Sequence, residues 1–576
     1  MNQTRSFLLI AWLFVVALLW MEWGKTLQPA APANPAATTS AVPAAPNVAA
    51  PLPASSAAPA ALPGVAPSAA VAGAAAQPIV LENDVLRLTI DLNGGRLTDS
   101  QLLQYRVEKR EGSPNVSLLS SQPTLYFTAD AGLIRSNGQQ QQILDERFAV
   151  EGSSREFKLA TGAASISVPL IWTEPGTGVT VRRTLTLDRG SYVLKLDETI
   201  ANGGSAAQQL YPYVSLDRVA PPSPPTHAFM SNPETFSFVG AAWFSPQNGY
   251  EKAPLSDFAD ELPPACAAGE APASCQVAGG WIAMLQHHFV TAWVPTANEQ
   301  QLFQTATKAH DGVALYEIRS VAAPLALAPG ASARRSSQLW VGPKLQAPMQ
   351  KLSPTLKRSV DYGKLTFISE PLFWLLAKLH ALLGNWGWAI IAIVVLLKLA
   401  LYPLSAAQYK NMAKMRAIQP RLEALKERYG DDRQKFAMAQ MELFQKEKIN
   451  PIGGCLPMLI PIPIFLGLYW VLLETVELRH APWIGWIQNL TAADPYFVLP
   501  VLNLAVMYLT QRLTPMPGMD PMQKKMMQFM PLVFGVMMAF FPSGLVLYWL
   551  TNGALGLLQQ WWMTRRHGDG KAVAAR

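Results

Sequence analysis

Cysteine, acidic residues and histidine are all scarce in this sequence, and each scarcity removes a class of protein. Three cysteines in 576 residues are too few for a disulfide scaffold, and they lack zinc-type spacing with histidines. Cys266 and Cys275 share one loop, where a disulfide and two free thiols both stand open, while Cys455 reads as an inert helix packer. Charged residues make up only 15% of the chain against 50% hydrophobic, which is too apolar for a soluble protein of this length and points to a membrane. No nucleotide-binding motif is present, so neither nucleotide-driven work nor a cofactor is implied. His287 and His288 fall in a segment read as a strand, where neighbours alternate between faces. They therefore cannot share a metal and read as ordinary strand histidines. The net charge of +7 lies mostly beside apolar segments, which favours anionic lipid over DNA as its partner.

What is present divides the chain. Arg5 precedes an apolar run from Phe7 to Trp20, which fits a cleaved signal peptide or a retained anchor. The nearest Ala-x-Ala, at 31–33, lies well past the run and contains Pro32, and Trp20 and Trp23 suit an interfacial belt. Both features favour a transmembrane anchor over 1–25. Residues 26–78 are rich in Ala and Pro and nearly uncharged, the composition of an extended linker. From 79 to 352 the pattern has period two, as in "DVLRLTIDL", and Asp188-Arg189-Gly190 between two alternating runs signals a hairpin. Short strands without long helical runs between them predict an all-β sandwich.

Helical periodicity takes over after Pro354. Residues 362–384, interrupted by Glu370, Lys378 and His380, predict an amphipathic helix in the interface plane. Spanning helices are predicted over 385–404, 451–473, 496–511, 528–541 and 545–563, several of them short for a hydrocarbon core. Basic residues place 405–450, 512–527 and the tail 564–576 in the cytoplasm. The acid-bearing loop 474–495 is external. The fold class is thus a multi-domain membrane protein with six transmembrane helices including the anchor, an external β sandwich and a cytoplasmic helical hairpin. That hairpin, 405–450, carries Met412, Met415, Ile418, Leu422 and Leu425 on one helix and Phe436, Met438, Met441 and Phe444 on the next. A self-packed pair and a methionine-rich face for varied apolar ligands are compatible readings, and its basic residues suit anionic lipid headgroups or ribosomal RNA.

Lys398 in "VVLLKLALYP" is the anomaly. Four methylenes allow it to snorkel to the cytoplasmic interface, but a charge within a span more often faces a wet interior. Polar neighbours favour the second reading: Asn503 and Thr510 on one helix, Gln528 opening the next, and Thr551, Asn552 and Gln559 on the last. No Asp or Glu lies inside any of the five spans from 385 onward, so the lysine would draw an anion from elsewhere.

Long ordered strings, "YPLSAAQYKNMAKMRAIQP", "GDDRQKFAMAQMELFQKEKINPIGGCLPMLIPIPIFLGLY", "DPMQKKMM" and "FPSGLVLYW" among them, resemble the bacterial form of the YidC, Oxa and Alb family of membrane protein insertases over the whole chain. The resemblance implies insertion and chaperoning of inner-membrane proteins, alone or with the Sec translocon (SecYEG, SecDF), and contact with the ribosome. It also implies a hydrophilic, positively charged groove open to cytoplasm and lipid, lined here by Lys398, Asn503, Thr510, Gln528, Trp549, Thr551 and Asn552. Relatives usually place arginine where Lys398 stands and commonly tyrosine at Trp549. The substrate's apolar segment would leave past Ile464, Phe465, Leu468 and Leu472 and past Phe534, Met537, Met538 and Phe541. Two other classes remain: a transporter using Lys398, which would want repeated discontinuous helices, and a membrane-tethered periplasmic carbohydrate-binding protein.

Overall fold

The computed structural model describes residues 77–136, 141–222, 238–255, 258, 276–296, 299–406, 418–430, 432–447, 461–513 and 521–567. The expected anchor, nearly all of the linker, Met412, Met415 and all three cysteines lie outside these residues.

Period-two sequence becomes strand. Leu86–Asp91 alternates strictly between buried and half-buried positions, and Val179–Asp188 pairs antiparallel with Val193–Asn202 around the predicted hairpin, with Leu187 opposite Leu194. The described strands form one sheet of 12 and one of 9. Their inner faces feed a single core in which Trp281, Trp293 and Trp340 are essentially inaccessible. Polar bonds also cross between the sheets. Arg183 of the smaller sheet pairs with Glu198 and Glu146 at 2.8 and 3.0 Å and donates to Ala131 O at 2.9 Å, while Trp293 Nε1 donates to Ser215 O at 3.0 Å. A fully buried guanidinium is tolerated because two carboxylates and two carbonyls surround it.

His287 and His288 depart from expectation. They occupy the two-residue turn between Trp281–Gln286 and Phe289–Pro295, where the strand rule of alternation no longer applies. Their rings stack at 3.7 Å and point the same way, and the Nε2 atoms approach the single carbonyl of Leu473 at 3.0 and 3.1 Å.

The helical half contains α1 (Gln346–Leu352), α2 (Thr366–Leu383), α3 (Trp386–Ala400), α4 (Gln419–Tyr429), α5 (Arg433–Lys446), α6 (Pro461–Glu474), α7 (Val498–Leu513), α8 (Pro521–Met538) and α9 (Ser543–His567). Local chemistry sets several boundaries. Gly384, left-handed at φ 68°, closes α2 by donating to His380 O, and Asn385 Oδ1 opens α3 by accepting from Trp388 N at 3.2 Å. Asp494, buried, accepts from Trp486 Nε1, Tyr496 N and Leu499 N, which fixes the start of α7. α8 begins at Pro521, earlier than the expected start at Gln528, and runs through Pro531. α2, expected to lie in the interface, is the one described helix both long and apolar enough to cross a membrane. Trp386–Ala400, Ile462–Glu474 and Lys525–Met538 are apolar but shorter. α4 and α5 pack on each other through Ile418, Leu422 and Phe444, with Phe436 beside them, leaving Met438 and Met441 exposed.

Candidate functional site

The site is built where α3, α6, α7 and α9 converge. Lys398, half-buried in the last turn of α3, extends toward α9, and a Cβ added at Gly556 would lie 3.5 Å from its ammonium nitrogen. Glycine at 556 therefore leaves the lysine a bare stretch of helix backbone to lie against. Among the described residues no ion pair includes Lys398. About one turn further along α9, Gln559 Nε2 is buried without a hydrogen-bond partner, and about two turns toward the helix start the same holds for Trp549 Nε1. Lone buried donors are costly, so a polar seam runs along this face of α9 with acceptors missing.

The other expected groove residues divide. Asn503 is buried on α7, with its amide 3.8 Å from Met507 Sδ. Thr510 and Thr551 donate to the carbonyls of Val506 and Leu547, each four residues back on its own helix at 2.8 Å, so these hydroxyls are occupied locally. Gln528, in mid-helix on α8, and Asn552 on α9 are exposed. The contacts thus join Lys398 to the Gly556 face, bury Asn503, and leave Gln528 and Asn552 on open surface.

Residues expected to form an apolar exit also divide. Phe465 of α6 meets Trp549 edge-on at 4.5 Å and Tyr548 at 5.5 Å, so groove and exit residues touch at this point. Leu468, Leu472 and Met538 are buried in the shared core, while Ile464, Phe534, Met537 and Phe541 are half-buried against it.

One polar contact lies outside the expected groove, although proline signals it in the sequence. Pro531 has no N–H, which frees the carbonyl four residues earlier, and Gln511 of α7 donates its side-chain amide to that atom, Met527 O. Another feature outside the groove is the junction between the two halves. Arg479 donates to Arg106 O and Val107 O at 2.8 and 2.9 Å, Lys109 donates to His480 O and Gln488 O at 2.9 and 2.6 Å, and Lys344 lies 3.8 Å from Glu474, both buried. Nothing in sequence spacing announces contacts between positions more than 370 residues apart.

Comparison with known proteins assigns both halves. The family described as YidC periplasmic domain matches residues 78–375, and that described as 60Kd inner membrane protein matches 378–570. A protein of Stenotrophomonas maltophilia (strain K279a) named membrane protein insertase YidC is 50% identical over 585 residues, covering 100% of this chain and 98% of that relative. A protein of the same name from Xanthomonas campestris pv. campestris (strain 8004) is 50% identical over 586 residues, covering 99% and 98%. A solved structure of an active YidC insertase with its first transmembrane domain resolved is 18% identical, with a TM-score of 0.36, over 84% of this chain and 92% of that one. With identity of this level running the full length of both chains, the protein belongs to the YidC family of membrane protein insertases.

Proposed function

We propose that this chain inserts single-spanning and multi-spanning proteins into the inner membrane without consuming nucleotide, and that Lys398 is its electrostatic element. The observation that carries the reading is the ammonium of Lys398 lying against Gly556 with no described carboxylate beside it. A polar external tail crossing hydrocarbon pays for every unsatisfied group. A hydrophilic groove lined by Lys398, Asn503, Thr510, Gln528, Trp549, Thr551 and Asn552 shortens that path, and a positive charge in it holds an acidic tail in transit. The apolar segment then leaves past Phe465, Ile464, Phe534, Met537 and Phe541, with hydrophobic partitioning and the membrane potential supplying the energy.

In this reading the anchor and five later helices span, with both termini in the cytoplasm and the β domain in the periplasm. The basic hairpin around α4 and α5 meets anionic lipid or the ribosome, and the chain works alone or beside SecYEG and SecDF. The test is purified protein in liposomes, offered a short single-spanning substrate with an acidic external tail and no added nucleotide. Insertion by the parent chain and its loss in Lys398→Ala support the reading. Normal insertion by Lys398→Ala of every substrate tested removes the electrostatic role, and failure of the well-folded parent chain returns the transporter reading.

A further inference from the structure

The β domain holds a second site, unrelated to Lys398. A cavity of about 570 Å³ opens between the strand Arg96–Arg106, the segment 114–127 and the end of the strand Gln208–Val219. Its lining is mainly polar, with Gln101, Asn115, Ser117, Ser120 and Gln122, and Phe127 supplies an aromatic floor. Arg218 also lines it and is only 8% exposed. Its guanidinium lies 5.0 Å above the Phe127 ring, and Nη2 donates to Gln286 Oε1 at 2.8 Å. Nη1 is buried with no acceptor.

Arg218 stands apart from the other buried arginines. Arg183 pairs with Glu146 and Glu198, Arg319 with Glu317, and Arg335 with Glu299. Among the described residues Arg218 has no carboxylate within ion-pair distance. Its one side-chain acceptor is a neutral amide, on a glutamine that lines the same cavity. Burial without a compensating anion pulls the guanidinium down to about 10. A buried cation with half its fork unpaired is expensive, and a roomy polar cavity beside it offers the means of paying that cost.

We propose that this cavity binds a carboxylate carried on a small polar group. The carboxylate enters between Arg218 and Gln286, replaces the glutamine oxygen and takes both terminal nitrogens in a bidentate pair, with Phe127 beneath the guanidinium. The amide and hydroxyl side chains of Gln101, Asn115, Ser117 and Ser120 receive the rest of the ligand. Asp99, which lines the cavity and accepts from Ser121 Oγ at 3.2 Å, favours a ligand that also offers a donor.

The test uses the full chain in lipid nanodiscs, titrated with N-acetylglycine, which carries one carboxylate, and with its neutral isostere N-acetylglycinamide, and read by calorimetry and by amide hydrogen exchange over 115–127 and 281–289. The acid should bind with a Kd on the order of 1 mM and slow exchange in both segments several-fold, while the amide does neither. Arg218→Gln should abolish the effect and Arg218→Lys should keep a weakened part of it. Should Arg218→Gln misfold, Gln122→Trp, at the exposed rim, fills the entrance with the arginine intact and should also abolish it. A glutamate-bearing peptide with blocked termini distinguishes the source: tighter binding than the free acid marks a polypeptide side chain, and binding of the free acid alone marks a small metabolite. Equal binding of acid and amide, protection that survives in Arg218→Gln, or no binding of either probe overturns the proposal.

Discussion

A single missing side chain decides how Lys398 sits. Gly556 presents bare backbone to the ammonium, and the lysine reaches α9 because no group larger than a methyl stands in its way. An added methyl would be an ordinary van der Waals neighbour at 3.5 Å, so Gly556→Ala should insert substrates nearly as the parent does. Gly556→Leu should displace the ammonium and lower insertion of substrates with acidic external tails, while those with neutral tails go in at the parent rate. If both substrate classes fall equally in the liposome assay, the leucine has damaged packing and the charge argument fails. Lys398→Arg should be tolerated, since attraction to an acidic tail needs a positive charge and not a forked one. The sequence disclosed the lysine and its lack of an acidic partner. It did not disclose which face of α9 the lysine would meet, because glycine at 556 is one of several small residues on that helix and periodicity does not rank them.

Between elements, the clearest device is the bond from Gln511 to Met527 O. Proline at 531 removes one rung of the α8 ladder, and the neighbouring helix α7 supplies a donor to the carbonyl left open. Gln511→Leu should therefore cost about 1 kcal/mol, the lower end of the range for leaving an acceptor unmet, since this carbonyl is half-buried. Pro531→Ala restores an N–H to that carbonyl, so Gln511→Leu should cost less in the Pro531→Ala background. Equilibrium unfolding of the four proteins in detergent forms a double-mutant cycle, and additive losses would show that the glutamine acts elsewhere. Element types were largely legible from the chain. Alternation marks the strands at 86–91 and 179–202, and the expected bounds 362–384 and 385–404 meet where α2 ends and α3 begins. Composition is a poor guide to boundaries. The polar residues before Gln528 read as a loop, yet the helix begins at Pro521, because Lys, Gln and Met are good helix formers whether or not they suit lipid. The two histidines read as strand because a two-residue turn carrying neither Gly nor Asn gives no turn signal.

On the scale of the molecule, the β domain is fastened to the helical half where His287, His288, Lys344, Lys109 and the Arg106–Val107 backbone grip the end of α6 and the loop after it, and Lys252 with Asp361 and Trp281 with Thr355 add bonds to the segment before α2. Deleting 79–340 removes most of that grip but keeps Lys344 and every helix. The truncated chain should retain most insertion activity, whereas a membrane-tethered binding protein would lose all function. The junction itself should be acid-sensitive. Burial holds both imidazoles neutral, His287 at about 3 and His288 well below its ordinary 6.5, with Lys344 and Arg479 adding to the effect. Below 6.5 the unfolded chain takes up protons that the folded junction refuses, so stability falls as pH drops toward the folded values. Glu477 works in the opposite direction. Burial lifts it to about 7, so it is protonated in the fold, and its contribution grows as pH falls from there toward 4.5. Glu474, also raised by burial, adds to that opposing effect, and the histidine contribution, roughly 1 kcal/mol for each imidazole over the first pH unit below 6.5, is isolated by replacing the two rings. In a His287→Asn/His288→Asn variant the amides still offer donors to Leu473 O but no longer titrate. Hydrogen exchange over 281–295 in nanodiscs should therefore accelerate between about pH 6.5 and pH 5.5 in the parent chain, beyond the intrinsic pH effect, and do so far less in the variant. Equal acceleration in both would mean that acid opens the junction through Lys344 and Glu474 and not through the stacked histidines.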